Sequence, residues 1–139
     1  MSPPRVLDAY ALLAFLTDEP GGDEVARLLR RAVETRTRLA MTTVNLGEVW
    51  YAIARTRSDE IADSLIQDIQ GMAVEVVNVD WLLARQAAEL KAAGGVAYAD
   101  CFAAALARMR GASVITGDPE FKRLEPVVKV HWLGMSRRR

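Results

Sequence analysis

Short apolar runs alternate with longer stretches of helical periodicity along the whole chain. Arg5-Val-Leu-Asp8, Arg38-Leu-Ala-Met41, Val74-Glu-Val-Val77, Ser113-Val-Ile-Thr116 and residues 127–132 read as strands, short and apolar enough to be covered on both faces. Between them, residues 9–16 are a run of good helix formers. Val25, Leu28, Leu29 and Ala32 form one helical stripe, and Ile61, Leu65 and Ile69 form another. Ala99, Phe102, Ala103 and Leu106, at i, i+3, i+4 and i+7, mark a buried helix. Asp23, Thr43, Ser58 and Asp80 stand where N-caps are wanted. Gly71 and Gly94-Gly95 stand where helices stop, and Pro119 suits the first position of a short helical turn. Strands alternating with helices in this way predict an α/β fold, a parallel sheet with helices on both faces.

Composition narrows the function. The chain has 139 residues, 51% of them hydrophobic, with no repeat, linker or low-complexity segment. It is expected to be a single domain over 1–139, with 134–139 as a basic tail. Its 18 basic and 18 acidic residues cancel, so any nucleic-acid contact has to come from local patches. Arg27, Arg30 and Arg31 share a helix face, which reads equally as a solvated surface or an RNA patch; Arg137–Arg139 add charge at the end. The single cysteine, Cys101, excludes an internal disulfide framework and suits a reducing compartment. Met1-Ser-Pro-Pro-Arg5 lacks the features of a signal peptide, and residues 9–16 fall far short of the roughly 20 apolar residues of a membrane span. The expectation is a cytoplasmic protein with no membrane contact. No glycine-rich loop follows the first strand, which argues against dinucleotide or P-loop chemistry. Cys101, beside an acid and without a base, reads as a packed thiol; His131, Trp81 and Trp132 read as structural.

The carboxylates are more informative. In open α/β sheets, ligands bind beyond the carboxyl ends of the strands, where strand order reverses. Asp8 and Asp118 follow the first and fourth strands, and Asp100 lies in the first turn of the helix feeding the fourth. Glu48 lies on the helix after the second strand, with Asn45 three residues before it on the same face. Singly, each acid has an ordinary role: Asp8 and Asp100 as helix caps, Glu48 as a surface acid, Asp118 as a turn former. Together at one rim they need a further reason, because two carboxylates about 5 Å apart repel by roughly 3 kcal/mol at an effective dielectric near 20. Such a cluster raises pKa values or binds cations. Mg2+ and Mn2+ take oxygen ligands and activate water for attack on a phosphodiester. A phosphatase or phosphoacceptor is the rival enzyme class, but Asp8-Ala-Tyr10 lacks a second acid two residues on.

Four ordered segments, Val6-Leu7-Asp8, Thr43-Val-Asn-Leu-Gly-Glu48-Val, Tyr98-Ala-Asp100-Cys-Phe-Ala-Ala-Ala-Leu-Ala and Val114-Ile-Thr-Gly-Asp118-Pro-Glu-Phe, span nearly the whole chain. Together they resemble the PIN-domain family, most closely its VapC-like toxins of bacterial and archaeal toxin–antitoxin modules. The resemblance implies a three-layer α/β/α sandwich around a five-stranded parallel sheet of order 3-2-1-4-5. It places Asp8, Glu48, Asp100 and Asp118 at the family's acidic positions and Thr116 at its small-hydroxyl position. Asp8 and Asp100 are then expected to ligate Mg2+ or Mn2+ directly. Asp118 and Glu48 would bind through water or orient the attacking water, and Thr116 would hold that water or a phosphate oxygen. The implied activity is metal-dependent endonucleolytic cleavage of RNA by a homodimer, inhibited by a partner antitoxin whose helix fills an apolar groove. Ala9 departs from the Ser or Thr often found after the first acid. The alternative is a catalytically inactive PIN-like module that binds RNA or a partner.

Overall fold

The computed structural model describes residues 3–134; residues 135–139, with the arginines of the expected tail, lie outside the described residues. The chain forms β1 (Arg5–Leu7), α1 (Ala9–Leu16), α2 (Gly22–Glu34), β2 (Leu39–Thr42), α3 (Thr43–Thr56) and α4 (Asp59–Gln70). It continues through β3 (Val74–Val77), α5 (Trp81–Ala92), α6 (Tyr98–Arg110), β4 (Ser113–Thr116), a 3-10 turn (Pro119–Leu124) and β5 (Lys129–Trp132). The five strands form one sheet in the order β3-β2-β1-β4-β5, with every neighbouring pair parallel. Val6 is in register with Ala40 and Val114, and Leu7 with Ile115.

The two-residue period of the strands divides the core. Val6, Ala40 and Val114 point to one face, where Leu83, Ala87 and Leu90 of α5 and Phe102, Ala103 and Leu106 of α6 cover them. Leu7, Met41 and Ile115 point to the other, under Leu12, Val25, Leu29, Val49, Ile53 and Ile69 of α1 to α4. In α6 every residue from Cys101 to Ala107 is buried. Its alanines let the helix approach the sheet closely, so burial extends around it beyond the expected stripe.

Several local expectations shift. Strand β2 runs one residue further than expected, so the N-cap of α3 is Thr42, whose hydroxyl accepts the Asn45 N–H at 3.1 Å; Thr43 is the first helical residue. Helix α2 starts from Gly21 in the left-handed conformation (φ 94°), which leaves Asp23 in the first turn, where its charge suits the helix dipole, and not at the cap. A Cβ on Gly22 would lie 2.4 Å from the Ala14 carbonyl oxygen, so the α1–α2 corner requires glycine there. Helix α4 turns Ala62 and Ile69 inward with Leu65 and Ile66 partly covered, which leaves Ile61 exposed. Trp81 is 74% exposed, since Leu83 is the inward residue of the first turn of α5; it is not a packing residue. Ser58, Asp80 and Gly71 cap as expected. Among the described residues no helix is long and apolar enough to cross a membrane.

Candidate active site

Strand order reverses between β1 and β4, and the chain turns there at Asp8 and Thr116. Asp8 is 1% exposed. Its Oδ1 accepts the Ala11 N–H at 2.8 Å, so it is indeed the N-cap of α1. Its Oδ2 accepts the Thr116 hydroxyl at 2.5 Å. Thr116, fully buried at the end of β4, also accepts the Asp118 N–H at 3.0 Å, and Asp118 caps the 3-10 turn through the Glu120 N–H at 3.0 Å. One hydroxyl therefore ties the acid after β1 to the acid after β4. Gly117, between Thr116 and Asp118, lies against the Tyr10 ring: a Cβ there would come within 2.5 Å of it, so the ring would have to move.

The other two acids arrive on helices. Glu48 sits one turn into α3 and accepts a hydrogen bond from the Asn45 side chain at 3.2 Å. Asp100 lies in the first turn of α6, where no side chain caps the helix and the dipole favours negative charge. The Asn45 amide also donates to the Ala99 carbonyl at 3.0 Å, which fixes the start of α6 against α3.

Electrostatics couple the four. Burial pushes the Asp8 carboxyl up to about 7 against the lowering effect of its two hydrogen bonds, with the charges of Asp100 and Asp118 adding to the rise. Asp100 is also pushed up to about 7, by burial first and then by Asp118, Glu48 and Glu120. Glu48 is raised by burial and by Asp118, while the Asn45 hydrogen bond works the other way. Among the described residues none of the four forms an ion pair with Lys, Arg or His. The set is thus a concentration of hard oxygen donors whose negative charge is unbalanced by the chain.

That donor set suits Mg2+ or Mn2+, which bind through one or two carboxylates and retain several waters. Among the described residues no three His, Cys, Asp or Glu side chains are drawn into a ready-made metal cage.

The remaining candidates lie apart from this chemistry. Cys101 is a buried thiol, raised by burial and by Asp100. His131 on edge strand β5 bonds Glu24 at 2.9 Å, and the Trp132 indole N–H bonds Glu125 at 2.7 Å. The arginine face of α2 runs away from the acids. Arg31 shares a hollow of about 260 Å³ with Arg5 and Arg38, at the amino ends of β1 and β2. On the 3-10 turn that Asp118 caps, Lys122 and Arg123 lie in the last turn, with Arg123 donating to the Gly95 carbonyl at 2.8 Å. Sequence spacing set Asn45 beside Glu48 but gave no sign of its bond to Ala99, which only the fold creates.

Residues 5–125 match the PIN domain. No curated protein matches the sequence. The chain is similar in fold to the DNA-bound VapBC of Salmonella typhimurium, with 18% identity, 96% of this chain and 100% of that chain covered, and a TM-score of 0.73. It is similar to VapBC2 of Rickettsia felis bound to a promoter DNA fragment (18% identity, 94% and 98% covered, TM-score 0.72). It is also similar to VapC20 of Mycobacterium tuberculosis, a sarcin-ricin loop cleaving toxin (17% identity, 86% and 94% covered, TM-score 0.66). The domain match runs from β1 through the 3-10 turn and takes in Asp8, Glu48, Asp100, Thr116 and Asp118; the chain belongs to the PIN domain family.

Proposed function

We propose that the chain is a Mg2+- or Mn2+-dependent endoribonuclease, the VapC-like toxin of a toxin–antitoxin module. The observation that carries this reading is the buried, doubly hydrogen-bonded Asp8 within electrostatic reach of Asp100 and Asp118, with no basic side chain paired to any of them among the described residues. Asp8 and Asp100 would hold the ion, with Asp118 and Glu48 completing the acidic pocket. A bound divalent ion supplies a nucleophilic water at neutral pH and stabilises charge on the phosphodiester oxygens.

The chain's own groups supply the rest. The Ala11 N–H and the Thr116 hydroxyl fix both oxygens of Asp8, so Thr116 acts through Asp8. Glu48 and Asp118 would orient the attacking water through their carboxylate oxygens. Lys122 and Arg123, exposed beside Asp118, receive the flanking phosphates. The likeness to VapC20 favours a structured RNA as substrate, and the likeness to VapBC complexes favours an antitoxin partner. Partly covered Leu13, Phe15 and Leu16 on α1, with exposed Ile61 on α4, supply apolar surface for the antitoxin helix. Exposed Trp81 and Leu82 on α5 supply it for a homodimer.

The test is to incubate purified chain with total RNA in Mn2+ or EDTA and to map new RNA ends. A small set of cleavage sites present only with the ion is expected. Tight RNA binding without cleavage under any divalent ion would replace the nuclease with the inactive binding module.

A further inference from the structure

Glu48 and Asp100 reach the site on two helices, α3 and α6, and one buried side chain bonds to both the Glu48 carboxylate and the start of α6. We propose that Asn45 is the positioning residue that sets Glu48 against Asp100; this inference rests on the nuclease reading above. Asn45 is fully buried. Its Oδ1 accepts the Thr42 hydroxyl at 2.7 Å, and its own backbone N–H donates to the same hydroxyl at 3.1 Å, which locks the side chain to the N-cap of α3. Its Nδ2 faces two acceptors, Glu48 Oε1 at 3.2 Å and the Ala99 carbonyl at 3.0 Å, so both amide hydrogens are used.

Each of these bonds has a separate consequence. The Thr42 bond belongs to helix capping and the Ala99 bond to helix packing. The Glu48 bond serves neither. It restrains a flexible acid side chain, and it does so from the same nitrogen that holds the residue preceding Asp100. Spacing between the two acids is thereby set by one planar amide. An aspartate here would lose both donors and face Glu48 with a like charge. A leucine would leave Thr42 and the Ala99 carbonyl without their partner.

Outer groups that orient metal ligands typically change metal affinity or activity by about 10- to 100-fold when removed. Mn2+ affinity of the full chain, measured by titration calorimetry, is therefore the readout. The variants are Asn45→Ala, Glu48→Gln and the two combined, with Asn45→Ser as a second replacement that keeps a hydroxyl near Thr42 but falls short of Glu48. Ile53→Ala, a buried position further along α3, serves as the stability control. Asn45→Ala and Asn45→Ser are expected to weaken Mn2+ binding about tenfold. Their effect should be smaller in the Glu48→Gln background than in the parent, because one of the two bonds from the Asn45 amide acts on Glu48. Ile53→Ala should lower the melting temperature at least as much and bind Mn2+ like the parent. Parent-like Mn2+ affinity in both Asn45 variants, or effects that multiply in the combined variant, would overturn the role given to Asn45 and leave the nuclease reading standing. A parent chain that binds no Mn2+ would overturn the nuclease reading, and this inference with it.

Discussion

Asp100→Asn is expected to lower divalent-ion-dependent RNA cleavage by about a thousandfold or more, a barrier change of roughly 4 kcal/mol, while the fold stays intact. Among the described residues the Asp100 side chain takes part in no hydrogen bond, so the substitution keeps its shape and removes only a charge. That charge lies in a field of Asp118, Glu48 and Glu120, and removing it relieves repulsion in the metal-free protein. Asp8→Asn is expected to lose cleavage equally, with a smaller stability gain. An asparagine there still accepts the Ala11 N–H as N-cap, but its amide nitrogen confronts the Thr116 hydroxyl that now donates to Asp8. Single-turnover cleavage and circular dichroism on the same preparations separate the two effects. Cleavage at the parent rate by either variant, from a preparation free of contaminating nuclease, would remove that residue from the site.

The metal-free protein is expected to become less stable as pH rises from about 5 to about 8, on the order of a few kcal/mol. Asp8 and Asp100 ionise near 7 in the fold against an ordinary value of 3.8. A carboxyl with a raised pKa holds its proton more tightly folded than unfolded. Its stabilising contribution is full below the unfolded value and is lost as pH climbs through the folded one. Glu24 and Glu75 act in the opposite sense, since their pKa values are lowered, by the Gly134 N–H and His131 in one case and by Arg110 in the other. They lose their contribution only as pH falls below about 4.5, outside this window. Mn2+ binds the ionised carboxylates, so it should raise the melting temperature far more at the alkaline end than at the acid end. Scanning calorimetry across the window in EDTA and in Mn2+ checks both statements. A metal-free stability that is flat or rises with pH would show that the acids are not forced together.

Much of this architecture is legible in the sequence, and the exceptions have identifiable physical causes. The two-residue period assigns Val6 and Leu7 to opposite faces without any structure, and α1, β3 and β4 keep their expected bounds. Strand order came from resemblance alone, because periodicity carries no information about which strands pair. Thr42 and Thr43 are chemically equal as caps, so only the point where β2 ends decides between them. Trp81 is apolar but occupies the first position of its helix, outside the inward stripe. For the site, spacing located the acids on strand ends and helix starts. It did not reveal that Thr116 donates to Asp8, nor that Asn45 reaches Ala99, because those contacts join residues far apart in the chain. The arginines of α2 form a face as expected, but the direction of that helix carries Arg31 to the amino ends of the strands.

The most direct measurement of the central claim is a Mn2+ titration of the purified chain in which ion binding and RNA cleavage are read from the same sample. Occupancy comes from calorimetry or from loss of the free-ion paramagnetic signal, and cleavage from single-turnover rates on a structured RNA. The expected result is that cleavage rises in step with occupancy of a site containing Asp8 and Asp100, and that Asp100→Asn loses both together. Cleavage at an undiminished rate in excess EDTA, or Mn2+ binding that survives Asp8→Asn and Asp100→Asn combined, would contradict it.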